Sequence, residues 1–205
     1  MIQIFHGMGS NPDRAWIPWL KSQLESDGHS VSTPRLPNSK FPNKDEWDTT
    51  LNQVLNETDI IVGYSLSSHN ILNHIAKNKT KGDIYLVAPF GNIDQNKVYD
   101  QTMKMLSGSK LPTHIKHNYS SGTVKHLESW CEEPLPWEEL RDVQERLHLI
   151  FSDYDSYTTN QIALFESMLP NTDVHVVERA GHFTTNDGYK TFPHLYDCIL
   201  NNLNK

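Results

Sequence analysis

The sequence predicts a single α/β domain built on an open, doubly wound parallel sheet. Short β-rich runs alternate with stretches of helical period. The runs are apolar from end to end, as parallel strands covered on both faces require. At about 150 residues per domain, a chain of 205 makes one domain. Repeated β-then-α units impose right-handed crossovers. In such sheets ligands bind beyond the carboxyl ends of the strands, near the switch in strand order. Catalytic residues are therefore expected just after strands.

The first run is Gln3–Phe5. Ser10-Asn11-Pro12-Asp13 then reads as a helix start with Pro in the first turn. Trp16, Trp19, Leu20 and Leu24 recur at helical spacing, and Gly28 suits the left-handed position past the helix end. Val31–Thr33 is the second run, followed by an amphipathic helix carrying Trp47, Leu51, Val54 and Leu55. Ile60–Tyr64 is the third, followed by Leu66, Ile71, Leu72 and Ile75 at helical spacing. Ile84–Ala88 is the fourth. The stretch 91–133 then breaks the rhythm: it is polar, with Ser/Gly turns and scattered apolar positions. A connection of that length inside a compact domain is usually functional, and a small cap over the sheet edge is expected there. Leu147–Phe151, a helix through Ile162, Phe165 and Leu169, and Val174–Val177 follow. Tyr189, Phe192, Tyr196, Ile199, Leu200 and Leu203 mark the closing helix.

Composition narrows the function. Leu, Ile, Val and Phe make up 50 of the 205 residues, above the roughly 20% below which disorder is the default. The formal charge is 18 − 25 = −7, with no basic run, so the Lys/Arg footprint of a nucleic-acid binder is missing. The longest apolar run, Ile84 to Phe90, falls far short of the roughly 18 residues that span a bilayer. Strand-like residues begin at Ile2, without the basic and apolar regions of a signal peptide. Cys131 and Cys198 are too few for a disulfide scaffold. A soluble, cytoplasmic protein without nucleic-acid or membrane partners is expected.

The strongest motif is Gly63-Tyr64-Ser65-Leu66-Ser67, between the third run and its helix. A Ser on so tight a turn presents its Oγ clear of the backbone, while small residues on either side let strand and helix approach. The helix N-terminus supplies oriented N–H groups for a developing negative charge. The plain alternative is a helix N-cap. Chain order decides between them. Ser152-Asp153-Tyr154-Asp155 puts two carboxylates after the fifth run, and Ala180-Gly181-His182-Phe183 puts a His after the sixth. Ser, then Asp, then His, each past a parallel strand, is the order of the α/β-hydrolase triad. The loop His6-Gly7-Met8-Gly9-Ser10 after the first run is where this fold takes one oxyanion-hole N–H. Met8 and Leu66 are assigned these donors, and His6 a bracing role.

These residues resemble the small serine hydrolases of the retinoblastoma-binding-protein 9 type. The resemblance rests on His6-Gly7-x-Gly9-Ser10, Trp16-x-x-Trp19-Leu20, Thr33-Pro34-Arg35-Leu36-Pro37, the Ser65 turn, Pro136-Trp137 and Ala180-Gly181-His182-Phe183. It spans most of the chain outside 91–133. It implies a compact α/β-hydrolase fold and esterase-like hydrolysis of a small acyl substrate through a Ser-Asp-His triad, a mechanism that needs no cofactor and no metal. Motif match puts the nucleophile on Ser65 and the base on His182. In a loop resembling G-x-x-D-x-x-V, it puts the acid on Asp155, with Asp153 in reserve. Ser67 departs from the family's usual Gly, so a slightly adjusted turn is expected.

The rival readings are weaker. Gly7-x-Gly9-x-x-Pro12 ends in Pro where a dinucleotide fingerprint needs its third Gly. The pairs His114/His117 and His69/His74 invite a metal, yet no His-Glu-x-x-His occurs. Cys131 lies beside Glu132 and Glu133, whose charge disfavours a thiolate. The serious competitor is a protein-binding module of this fold with a vestigial triad, for which 91–133 would be the docking surface. Phe90, Trp130 and Trp137 are candidates for the pocket wall.

Overall fold

The computed structural model describes residues 1–57 and 59–203. Six strands form one sheet: β1 (Ile2–Phe5), β2 (Val31–Ser32), β3 (Ile60–Tyr64), β4 (Ile84–Val87), β5 (Leu147–Ser152) and β6 (Asp173–Val177). Their order is β2-β1-β3-β4-β5-β6, with every neighbouring pair parallel. The chain steps outward from β1 to β2, then returns to place β3 on the other side of β1. Helix α1 (Ile17–Ser26), after β1, and helix α3 (Ser67–Asn78), after β3, lie on opposite faces. A crevice opens between two strands whose helices diverge in this way. The register Phe5↔Gly63 brings the loop after β1 alongside Ser65.

Side chains of successive strand residues enter two separate cores. Ile61, Ile84 and Leu86 face one; Val62, Tyr85 and Val87 face the other. Both cores are filled by buried apolar side chains, which is why the central strands read as unbroken apolar runs. The first core is closed by α2 (Lys44–Val54), α3, α6 (Trp137–Arg141) and α7 (Ile162–Met168), and the second by α1 and α8 (Pro193–Leu203). The last strand departs from the two-faced pattern: β6 borders solvent at the sheet edge, and Val176 is 52% exposed.

The expected helix start at Ser10–Asp13 is corrected by the structure. Asn11 Oδ1 accepts the Asp13 N–H at 2.8 Å and closes a local turn. Ala15 then sits at φ 52, a left-handed conformation through which a right-handed helix cannot run. Helix α1 starts at Ile17, with Pro18 in its first turn, where the missing N–H costs nothing. Gly28, at φ 89, does follow the helix end as expected.

Residues 91–133 are largely helical. Helix α4 (Gln95–Leu106) is capped by Asp94, which accepts the Asn96 N–H at 2.9 Å, and packs against α5 (Thr113–Glu132). The C-terminal part of α5 reaches the first core through Leu127 and Trp130.

Strand β3 and helix α3 meet at Gly63. A Cβ there would lie 2.4 Å from Ile71 Cδ1 and 2.9 Å from Leu86 Cδ2. Gly63→Ala should therefore lower stability by about 1–3 kcal/mol through overpacking, read as a lower urea midpoint. An unchanged midpoint would mean that strand and helix separate freely.

Candidate active site

Ser65 stands between the last residue of β3 and the first turn of α3, at φ 58. A non-glycine residue in this region is strained and is held there by its surroundings. Ser67 is part of that support. Its buried Oγ accepts the Tyr64 N–H at 3.1 Å and lies 3.0 Å from the Tyr64 carbonyl, so the hydroxymethyl is accommodated as a hydrogen-bonded brace. Gly7 allows the loop after β1 to pass close by. A Cβ on Gly7 would lie 2.8 Å from Ser65 Cβ and 2.9 Å from the Tyr64 carbonyl oxygen.

His6 braces that loop, as expected. Its Nδ1 donates to the Gly7 carbonyl at 3.0 Å, and its Nε2 accepts the Leu36 N–H at 3.0 Å. This pattern requires the neutral ring. Burial lowers its pKa, opposed by the Gly7 hydrogen bond and helped by the Arg35 charge.

A hydrogen-bonded chain crosses the ends of three strands. Ser65 Oγ lies 2.9 Å from His182 Nε2, and His182 Nδ1 lies 2.7 Å from Asp155 Oδ2. Asp155 is 2% exposed. Burial pushes its carboxyl up, but the His182 hydrogen bond and charge, the Thr158 hydroxyl and the Tyr157 N–H together hold it below the usual carboxylate range. An ionised Asp155 accepts from Nδ1–H, which leaves the Nε2 lone pair facing the serine hydroxyl. Asp153 is elsewhere: its Oδ1 accepts the Arg179 N–H at 2.6 Å.

Several supporting residues carry no motif of their own. The Tyr64 hydroxyl donates to the His182 carbonyl at 2.7 Å, and the ring packs 5.6 Å from the imidazole. Burial, then the charges of Asp155 and Asp187, push the Tyr64 phenol well up, so it stays a neutral donor. Asp187 Oδ2 accepts the N–H groups of His182 at 3.2 Å and Thr184 at 2.9 Å. Gly181, at φ 62, leaves room for that carboxylate, since a Cβ would lie 2.4 Å from Asp187 Oδ1. Tyr64 occupies the unspecified position of G-x-S, and Asp187 lies beyond the His motif. Neither position can be found from sequence.

Met8 and Leu66 flank Ser65 at a cavity of about 660 Å³. Among the described residues, neither backbone N–H is matched with a protein acceptor. Phe41, Phe90 and Ile93 supply apolar wall, with Val98 from α4 and Leu127 from α5 on the side of the 91–133 segment. A second, more polar cavity of about 1060 Å³ shares His182 and Tyr157 with the first but does not reach Ser65. Trp130 and Trp137 are not pocket walls. Trp130 Nε1 donates to Asn70 Oδ1 at 2.9 Å and the ring meets Trp47 edge-on, while Trp137 packs on Phe165.

A model of the serine hydrolase family matches residues 2–201. The chain belongs to the serine hydrolase family. It is accordingly a hydrolase, and no helix among the described residues is long and apolar enough to cross a membrane. It is 24% identical over 212 residues to the YdeN protein of Bacillus subtilis (strain 168), a putative hydrolase, covering 100% of this chain and 96% of that one. The crystal structure of the B. subtilis ydeN gene product superposes with a TM-score of 0.74 at 20% identity, over 100% of this chain and 98% of that one. A carboxylesterase of the Thaumarchaeon Nitrososphaera gargenis shares the fold at TM-score 0.68 and 11% identity, over 98% and 89% of the two chains. The naproxen esterase of B. subtilis shares it at 0.64 and 11%, over 98% and 82%. These likenesses establish the α/β-hydrolase architecture of this family member.

Three of the histidines weighed as metal ligands, and Cys131, are held in local contacts. His69 is fully buried, and desolvation lowers its pKa to about 4. His74 bonds Asn52, and His117 bonds Tyr99. Burial, then the Asp94 charge, push the Cys131 thiol up to about 11.

Proposed function

We propose that the protein is a carboxylesterase-like enzyme that hydrolyses a small acyl ester through an acyl-enzyme on Ser65. The observation that carries this reading is the continuous chain Ser65 Oγ–His182–Asp155, at 2.9 and 2.7 Å. Ser65 Oγ attacks the acyl carbonyl as His182 Nε2 takes its proton, while Asp155 holds the tautomer and stabilises the imidazolium. The N–H groups of Met8 and Leu66 receive the developing oxyanion, each worth about 3 kcal/mol in comparable sites. His182 then protonates the leaving alcohol, and water enters by the same base to release the acid.

The apolar wall of the 660 Å³ cavity supports acyl binding beside Ser65. In this reading α4 and α5 act as the cap, and their side chains set acyl length. The esterase activities of the two neighbours of this fold agree with the chemistry. The motifs quoted above support a place near the retinoblastoma-binding-protein 9 type, and two free cysteines support a cytoplasmic setting.

A fluorophosphonate probe and a panel of p-nitrophenyl esters from acetyl to dodecanoyl test the proposal. Labelling with turnover of at least one ester is expected. Folded protein that neither labels nor hydrolyses any ester would overturn it in favour of a binding module. Tyr64→Phe supplies a finer check, because it removes one hydrogen bond to the His182 backbone. A loss of about 1 kcal/mol corresponds to about fivefold in kcat, with KM unchanged. A change confined to KM would deny Tyr64 its positioning role.

A further inference from the structure

We propose that His175, His194 and Cys198 form a zinc site that clamps the closing helix α8 to the edge strand β6. One ligand atom of each lies within 4.8 Å of the others. His194 and Cys198 are one helical turn apart on α8, and His175 faces them from β6, its ring 5.2 Å from that of His194. His194 Nε2 and Cys198 Sγ are 3.8 Å apart. Zinc bonds of about 2.0 Å to nitrogen and 2.3 Å to sulfur, at a tetrahedral angle, separate such a pair by about 3.5 Å. The spacing on α8 is therefore close to that of a bound ion.

The neighbouring triplet His148, Asp173 and His175 also brings its ligand atoms together. Its hydrogen bonds give it a different role. His148 Nδ1 donates to Asp173 Oδ2 at 3.0 Å, and its Nε2 accepts from Asn202 Nδ2 at 3.1 Å. Both nitrogens of His148 are engaged, and its ring is stacked on Tyr85. Asp173 Oδ2 also lies 2.9 Å from His175 Nε2. A carboxylate on one nitrogen of an imidazole orients the ring and makes the other nitrogen a better ligand. Asp173 is thus the orienting partner of the proposed His175 ligand. An imidazole pair with a thiolate matches Zn²⁺, whose softness tolerates both, and the half-exposed position leaves a fourth site for water. Sequence spacing conceals the set, because β6 and α8 meet only in the fold.

Cobalt(II) is the probe, since thiolate ligation gives a near-ultraviolet charge-transfer band and tetrahedral geometry gives strong visible bands. Whole protein, reduced and stripped with chelator, is titrated with Co²⁺ and then displaced with Zn²⁺. One equivalent with a sulfur band is expected, together with a melting temperature raised several degrees by Zn²⁺. Cys198→Ser should abolish the band, His194→Ala should abolish tight binding, and Asp173→Asn should weaken Zn²⁺ binding about tenfold. Wild-type protein that binds no Co²⁺, or binds it without the sulfur band, would overturn the proposal. So would a band surviving Cys198→Ser.

Discussion

Ser65→Ala is expected to lower kcat for any ester the protein turns over by about 10⁵–10⁶-fold, the scale on which an isolated nucleophile is lost from such a triad. Fluorophosphonate labelling should vanish with it. Melting should change little. Alanine inherits the same backbone strain at φ 58, and the turn is held by Ser67, Gly7 and the Ser68 hydroxyl, which donates to the Ser65 carbonyl at 2.5 Å. A variant that folds and still turns over at the wild-type rate would place the chemistry elsewhere.

Asp155→Asn should cost about 10⁴-fold in kcat, because an amide in that place favours the wrong tautomer of His182. Asp153→Asn should cost no more than about fivefold, the loss of one hydrogen bond of about 1 kcal/mol, since Asp153 bonds the Arg179 backbone and not the imidazole. Reversed magnitudes would identify Asp153 as the acid. The pH dependence of stability adds an independent measurement. The Asp155 carboxyl is held below its ordinary range in the folded protein, so its stabilising contribution is present above the unfolded value of about 4. It is lost as pH falls through the lower folded value. The stability advantage of wild type over Asp155→Asn, measured by urea unfolding, should therefore close in strong acid. An advantage independent of pH would mean that the carboxyl is not depressed.

Much of this site is legible in the sequence. A parallel sheet confines reactive residues to strand ends, so a Ser at 65, a carboxylate at 153 or 155 and a His at 182 follow in that order from the positions of the apolar runs. Ser67 is also readable as a departure, but its consequence is not. Only the packed turn shows a hydroxyl bonding the Tyr64 backbone. The helix start near Pro12 misleads because Pro and Asn serve a turn as well as a cap, and the left-handed Ala15 that ends the matter carries no local signal.

What the sequence determined by itself is the alternation of elements, the two-faced burial of the central strands and the residues set at their ends. Each follows from local periodicity and chain order. Tertiary structure alone decided which carboxylate meets His182, that Tyr64 and Asp187 hold that histidine, that Phe90 lines the cavity while Trp130 and Trp137 pack the core, and that His175 meets His194 and Cys198. Those are contacts between segments far apart in the chain. Their partners are chosen by strand order, register and helix packing, which no single stretch of sequence encodes.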